Sequence, residues 1–437
     1  MSSKSFSSFR VKPGGFISGQ LTVPGDKSIS HRALMFGAIA EGETTITGFL
    51  QGEDTLATAK VFQQMGVEIE NKGDLVKVKG VGLNGLQAYE DALDFGNSGT
   101  SVRLMTGLLS AQSFDSKLIG DESLMTRPMM RVINPLRLMN AKINCEDDGT
   151  LPVKITGGQA LNAIEYEMPV ASAQLKSCLL LAGLYADGTT SVIENKVTRD
   201  HTERMLGAFS HPVCRDGNTI SINQAEKLVA TDVHVPADFS SAAFFIVAAS
   251  ICPGSDVVLK NVGINPTRDA MLKIMQLMGA DIELENKHEQ SGEPVADIRI
   301  KSSELKGIDI PEDLVPIAID EFPAILVAAA CAKGTTRLSG AAELRVKESD
   351  RIQAMLDGFI ATGIQAEGME DGMILEGCKF QGGTVDSHGD HRIAMAFAVA
   401  GMVAKESITI NDCANVATSF PGFVQLAKSS GMNIEYV

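Results

Sequence analysis

The sequence predicts an α/β protein of two similar halves, on three observations. One pattern recurs six times along the chain. Each recurrence alternates helix-forming runs rich in Ala, Leu, Phe and Met with short Thr/Val/Ile strands that follow Gly turns. The spacing of about 70 residues is too long for solenoid repeats of roughly 20–50 residues and suits a small βαβ-type module.

The first helix of each recurrence starts near Ser28, Thr100, Ser172, Ser240, Asp320 and Asp390. A strand is then expected in "AEGETTITGF", "ADGTTSVIEN", "CPGSDVVLKN", "AKGTTRLSGA" and "AKESITINDC". A second helix follows, closed by "MGVEIE", "MNAKIN", "MGADIE" or "SGMNIEYV", where Gly or Asn ends the helix and a strand begins. The N-terminal "MSSKSFSSF" is expected to fray, and "ENKHEQSGEP" to form an exposed hairpin loop. Recurrences one to three and four to six make the two halves.

A chain of 437 residues, 44% hydrophobic and 21% charged, is ordinary for a soluble globular protein. Its net charge of −16 excludes nucleic acid or an anionic membrane as the main partner, so any anionic ligand needs a local basic pocket. No apolar run approaches the roughly 20 residues of a membrane span. Seven scattered cysteines without a CxxC pair or signal peptide read as reduced thiols in the cytoplasm.

Basic residues gather where helices begin. "GDKSISHR" carries Lys27 and Arg32, "GNSGTSVR" carries Arg103, "VASAQLK" carries Lys176 and "HGDHR" carries Arg392. Helix N-termini disfavour positive charge, and a bound anion resolves the conflict by using both the free N–H groups and the cations. Several such starts predict a ligand with more than one phosphate or carboxylate. "VPGDKS" is not a P-loop, because Asp26 stands where Gly must precede the lysine, and no GxGxxG opens a helix. No nucleotide or other cofactor is expected.

In "FGNSGTSVRL", Gly96 and Gly99 allow close approach to a ligand, with Ser98 or Thr100 as the helix cap. In "IDEFPAILVAAA", Asp320 is expected as N-cap with Glu321 in the first turn, or else as a general base among cations. In "RVKESDRI", Lys347, Glu348 and Arg351 are either surface ion pairs or site residues. His388 and His391 in "SHGDHR" lack metal-ligand spacing, so no metal is expected.

Nine motifs in order span nearly the whole chain: "PGDKSISHRAL", "GNSGTSVRL", "TRPMMRV", "PVASAQLKSCLLLAGL", "VPADFSSAAFF", "DEFPAI", "RVKESDRI", "GDHRIAM" and "TSFPGF". Together they resemble the 5-enolpyruvylshikimate-3-phosphate synthases, members of the enolpyruvyl transferase family. The resemblance implies two inside-out α/β barrel domains, built from six βαβαββ repeats with the helices inside. It places the first domain at 26–235 and a discontinuous second domain at 1–25 plus 236–437, with the active site in the cleft between. The implied reaction joins shikimate 3-phosphate and phosphoenolpyruvate, releasing phosphate.

By motif, the resemblance assigns Lys27, Ser28, Arg32, Ser172, Ala173, Gln174, Arg199, Asp320 and Lys347 to shikimate 3-phosphate. Lys176 lies in the motif that grips its phosphate and ring. Lys27, Asn97, Gly99, Thr100, Arg127, Gln174, Glu348, Arg351 and Arg392 are assigned to phosphoenolpyruvate. Asp320, Glu348 and Lys27 are the implied catalytic groups, and His31 has no assignment. Thr418 stands where one branch of the family has Lys, and "RLM" at 103–105 replaces "RPL"; both fit the other branch and favour Arg199 as a phosphate contact. Gly99, where insensitive members carry Ala, implies sensitivity to the inhibitor glyphosate. A monomer is expected.

Two other readings are weighed. A UDP-N-acetylglucosamine enolpyruvyl transferase would carry Lys–Asn in place of Lys27–Ser28 and a Cys-containing loop in its first domain; Cys145 lies in a different context. A non-catalytic polyanion binder is opposed by the presence of Asp320, Glu348 and Lys27 together.

Overall fold

The computed structural model describes residues 8–437, so the expected fraying of "MSSKSFSSF" lies outside the described residues except at its end, where Phe9 already belongs to strand Phe9–Val11. Its helices follow the repeat. The first helices of the six repeats are α1 (Lys27–Ile39), α3 (Gly99–Leu109), α5 (Ala173–Gly183), α7 (Phe239–Ile251), α9 (Phe322–Ala330) and α11 (His391–Gly401). The second helices are α2 (Glu53–Gln64), α4 (Met130–Leu138), α6 (His201–Ala208), α8 (Ala270–Leu277), α10 (Arg351–Ala361) and α12 (Phe423–Ser430). The two sets have different jobs. In α7, every residue from Phe239 to Ser250 is buried, whereas in α2 only half of the face is. A helix apolar all round belongs in the middle of a core, and an amphipathic one covers it.

Each repeat contributes one small sheet, and the repeats place their helices inside these sheets. In the second repeat, the strands at Leu93–Asp94 and Ser116–Ile119 are parallel. Ser116–Ile119 and Lys142–Asn144 then both pair antiparallel with Val153–Thr156. The third repeat repeats this order with Glu165–Glu167, Thr189–Ile193, Thr219–Asn223 and Cys214–Asp216. Three places depart from simple succession. Strand Phe9–Val11 lies between Ile408–Asn411 and Ile434–Tyr436, antiparallel to both. Strand Ser18–Leu21 precedes α1 in the chain yet pairs parallel with Asp256–Gly263, after α7. Val233–His234 precedes α7 yet pairs with Glu41–Thr47, after α1.

The chain accordingly divides into two compact units. The first is Gly25–Val235 with Gln290–Glu293; the second holds the described residues 8–24, Pro236–Glu289 and Pro294–Val437. Each has its own apolar core. In the second, α7, α9 and α11 pack on one another. In the first, α3 and α5 cross closely because Gly107 has no side chain, a Cβ there lying 2.2 Å from the Cys178 carbonyl oxygen.

The acidic stretch "ENKHEQSGEP" forms the expected hairpin, but only two of its residues are loop. Strands Asp281–Gln290 and Glu293–Lys301 run through it, joined at Ser291 and Gly292, whose φ values of 50° and 80° suit a tight hairpin turn. Hairpin pairing outweighs the polar composition here.

Candidate functional site

In the first unit, the start of α1 carries its own counter-charge. Asp26 is the N-cap, its Oδ1 accepting from the Ile29 amide at 2.8 Å. Lys27, the first helical residue, puts Nζ 2.9 Å from Oδ2 of Asp54, which sits buried in the first turn of α2. Ser28 is half-buried at the same end. Arg32 points inward: its Nε donates to Thr202 Oγ1 at 2.7 Å, Nη2 to Ser177 Oγ at 2.7 Å and Nη1 to the Ser28 carbonyl at 2.9 Å. Burial pulls its guanidinium down to about 10, against the pull of Glu203 and Asp26.

A second group forms around the Gly99 turn. Ser98, not Thr100, caps α3, accepting from the Ser101 amide at 3.2 Å. Thr100 instead accepts from Gln174 Nε2 at 3.0 Å, and Gln174 Oε1 accepts from Arg103 at 2.8 Å. Asn97 Oδ1 accepts from Arg127 at 3.0 Å, while its amide donates to Asp121 at 2.7 Å. A Cβ at Gly99 would lie 3.1 Å from Nη1 of both Arg103 and Arg127, so two guanidiniums stand against this backbone. Asn97, Gly99, Thr100, Arg127 and Gln174 are thus brought together, and Arg103 joins them. Ser172 caps α5 beside Ala173, and Arg199 is half-buried before α6.

Lys176 is placed elsewhere. It is fully buried, with Nζ 2.9 Å from Glu194 and 2.6 Å from Glu203. The helical register that aims Gln174 at the turn directs Lys176 into the interior, where two carboxylates hold it.

His31 is also fully buried, between Thr58 Oγ1 at 2.8 Å on Nδ1 and Ser98 Oγ at 3.4 Å on Nε2. Burial first, then the nearby cations Lys27 and Arg32, lower its pKa well below the usual 6.5, against Asp26. The unfolded chain therefore binds a proton that the folded one refuses. Stability from this group is intact above about pH 6.5 and falls as pH drops below it. A His31→Asn variant should show a shallower loss of melting temperature between about pH 7 and pH 5 than the parent chain; an identical slope would refute this.

The second unit centres on Arg351, which is 1% exposed and meets three carboxylates. Nε lies 2.8 Å from Asp390 Oδ2, Nη2 2.6 Å from Glu348 and Nη1 3.4 Å from Asp320. Burial disfavours this charge, yet Asp390, Glu348 and Asp320 together outweigh it and raise the guanidinium above its ordinary value. Burial likewise works against the Asp390 carboxylate, and Arg351 overcomes it, holding Asp390 below the usual range. Lys347 Nζ stands 3.5 Å from the same Asp320 oxygen.

Asp390 also caps α11, accepting from the Arg392 amide at 2.9 Å. The Arg392 side chain donates to the Asp320 carbonyl at 2.8 Å and lies 3.6 Å from Glu321. Glu321, not Asp320, occupies the N-cap position of α9, with Pro323 in the first turn. Its carboxylate accepts from Ser240 at 2.5 Å, and Ser240 accepts from Arg268 at 2.7 Å. Asp320 is thereby left outside the helix, its carboxylate on Lys347 and Arg351.

Sequence reasoning missed Asp54, Asp390 and Glu321 as partners of the cations. Only Asp390 had a signal, its position inside "HGDHR". Among the described residues no three His, Cys, Asp or Glu are grouped to hold a metal, and no helix is long and apolar enough to cross a membrane.

The family model for EPSP synthase (3-phosphoshikimate 1-carboxyvinyltransferase) matches residues 11–426. The chain is 59% identical over 428 residues to the 3-phosphoshikimate 1-carboxyvinyltransferase of Methylococcus capsulatus, covering 98% of each. It is 57% identical to one from Legionella pneumophila, covering 98% of this chain and 99% of that one. A solved EPSP synthase from Acinetobacter baumannii superposes with a TM-score of 0.89 at 56% identity, over 98% of this chain and 99% of the other. The enolpyruvyl transferase NikO from Streptomyces tendae shares the fold alone, with a TM-score of 0.78 at 15% identity over 99% of both chains.

Proposed function

The chain belongs to the EPSP synthase family, and on that basis we propose how its own residues carry the family's reaction. The activity transfers the enolpyruvyl group of phosphoenolpyruvate to the 5-hydroxyl of shikimate 3-phosphate and releases phosphate, a step of aromatic amino-acid biosynthesis. The observation that carries the residue assignment is the buried Arg351, on which Asp320 and Glu348 converge at 3.4 and 2.6 Å. Two carboxylates held among cations are what a reaction with two proton transfers and two anionic substrates needs.

In this reading, shikimate 3-phosphate is held by Lys27, Ser28, Arg32, Ser172, Ala173, Gln174 and Arg199, with Asp320 and Lys347 at its ring. Phosphoenolpyruvate lies against Asn97, Gly99, Thr100, Arg127 and Gln174, with Lys27, Glu348, Arg351 and Arg392. Asp320 takes the proton of the 5-hydroxyl as its oxygen bonds to C2 of phosphoenolpyruvate, and Glu348 delivers a proton to C3. In the tetrahedral adduct the C2–O bond to phosphate then breaks, and Glu348 takes a proton back from C3 to restore the double bond. Lys27, steadied by Asp54, assists proton transfer at the bridging oxygen. Arg127, Arg351 and Arg392 stabilise charge on the departing phosphate.

Phosphate release from shikimate 3-phosphate plus phosphoenolpyruvate tests the acceptor. Release with UDP-N-acetylglucosamine in its place, and none with shikimate 3-phosphate, would overturn the reading. Glyphosate is expected to inhibit by occupying the Gly99 turn. Gly99→Ala should raise its inhibition constant about tenfold or more, because the added methyl meets two guanidiniums at 3.1 Å. An unchanged constant would remove the inhibitor from this turn. We further place the protein in the cytoplasm as a monomer, which its seven unpaired cysteines support for the compartment and which sedimentation tests for the assembly.

A further inference from the structure

We propose that His31 is a positioning residue for phosphoenolpyruvate: it ties the Asn97–Thr100 turn to the helix start that carries Lys27. The proposal rests on the reading above, in which that turn and Lys27 meet the same substrate.

The tie is a ring of four buried residues from α1, α2 and the start of α3, closed through the Ser101 backbone amide. His31 Nδ1 meets Thr58 Oγ1 of α2 at 2.8 Å, and Thr58 Oγ1 meets Ser101 Oγ of α3 at 2.7 Å. The Ser101 amide donates to Ser98 Oγ at 3.2 Å, and Ser98 Oγ returns to His31 Nε2 at 3.4 Å. All four residues are at most 1% exposed. Burying four polar side chains is costly unless each is bonded, so the ring holds its geometry closely.

One arrangement follows from the donors and acceptors. The Thr58 hydroxyl proton has two acceptors, Ser101 Oγ at 2.7 Å and the Asp54 carbonyl at 3.2 Å, and directing it to either leaves the Thr58 oxygen to accept from Nδ1–H. Nε2 is then the acceptor, and the Ser98 hydroxyl donates to it. Ser98 keeps a lone pair for the Ser101 amide, which is the cap of α3. A neutral imidazole with its proton on Nδ1 satisfies both ring nitrogens. An imidazolium would aim a second N–H at Ser98 and turn the cap's hydroxyl away.

The ring's elements are the ones that matter to the substrate. Helix α1 carries Lys27, α2 carries its partner Asp54, and α3 begins at the Gly99 turn. An aliphatic side chain at 31 would fill space but could not fix the height of Ser98 relative to α1.

The experiment compares His31→Leu, His31→Asn and Thr58→Val with the parent chain in steady-state kinetics. His31→Leu and Thr58→Val should each raise KM for phosphoenolpyruvate, and the inhibition constant for glyphosate, about tenfold, with KM for shikimate 3-phosphate within about twofold. His31→Asn, whose amide nitrogen takes the place of Nδ1, should recover most of the loss. Unchanged phosphoenolpyruvate parameters in Thr58→Val overturn the proposal, as does an equal rise in both KM values, which marks general damage. Should His31→Leu fail to fold, Thr58→Val and His31→Asn still decide it. Asn97→Ala serves as the control: if it leaves KM for phosphoenolpyruvate unchanged, the assignment of the turn is at fault rather than the role of His31.

Discussion

Asp320→Asn is expected to lower kcat by about 10²- to 10⁴-fold, the usual contribution of a positioned proton acceptor. The substitution keeps the shape of the side chain and still accepts hydrogen bonds from Lys347 and Arg351, which stand 3.5 and 3.4 Å from Oδ1. What it removes is the capacity, proposed for Asp320, to take a proton from the 5-hydroxyl. KM for shikimate 3-phosphate should therefore change little while kcat collapses, the pattern of an interaction used only in the transition state. Glu348→Gln separates the second transfer. It should abolish exchange of solvent deuterium into C3 of phosphoenolpyruvate, read by NMR. Turnover within about tenfold of the parent in Asp320→Asn would disprove the assignment.

The second large effect is on stability. Lys176→Met should destabilise the first unit by about 3 kcal/mol or more, the cost of leaving a buried charge without its partner. Lys176 is 0% exposed and lies between Glu194, 1% exposed, and Glu203. Arg215 still serves Glu194 at 2.9 Å, so Glu203 loses most. Urea unfolding followed by circular dichroism measures the loss as a lower midpoint. The alternative, that Lys176 grips the shikimate phosphate, predicts the opposite pattern: an unchanged midpoint with weakened binding of shikimate 3-phosphate.

Much of the fold is legible in one dimension because the repeat is. Six apolar helices announced by Gly turns and capping residues mark the inside of each unit, and the strands after them follow from Thr/Val/Ile runs. The helix starts also point to much of the proposed site, since a cation in a first turn is a local anomaly that needs an explanation. What escaped is of another kind. Asp54 and Asp390 look like ordinary first-turn and cap residues, and nothing nearby says that Lys27 and Arg351 will meet them. Asp320 and Glu321 read as cap and first turn, yet the helix begins one residue later. That shift frees the Asp320 carboxylate for Lys347 and Arg351. Lys176 and Gln174 lie two positions apart in one motif and face different surroundings.

The sequence by itself determined the class of fold, the six helix starts and the gathering of cations at several of them. These follow from local rules of periodicity, capping and charge. Only the tertiary structure decided which cations have internal partners, that Lys176 belongs to the interior, and that His31 closes a ring with Thr58, Ser98 and Ser101. The reason is physical. Whether a charge or an imidazole stays available to a ligand depends on burial and on partners dozens of residues away, and packing alone brings those together.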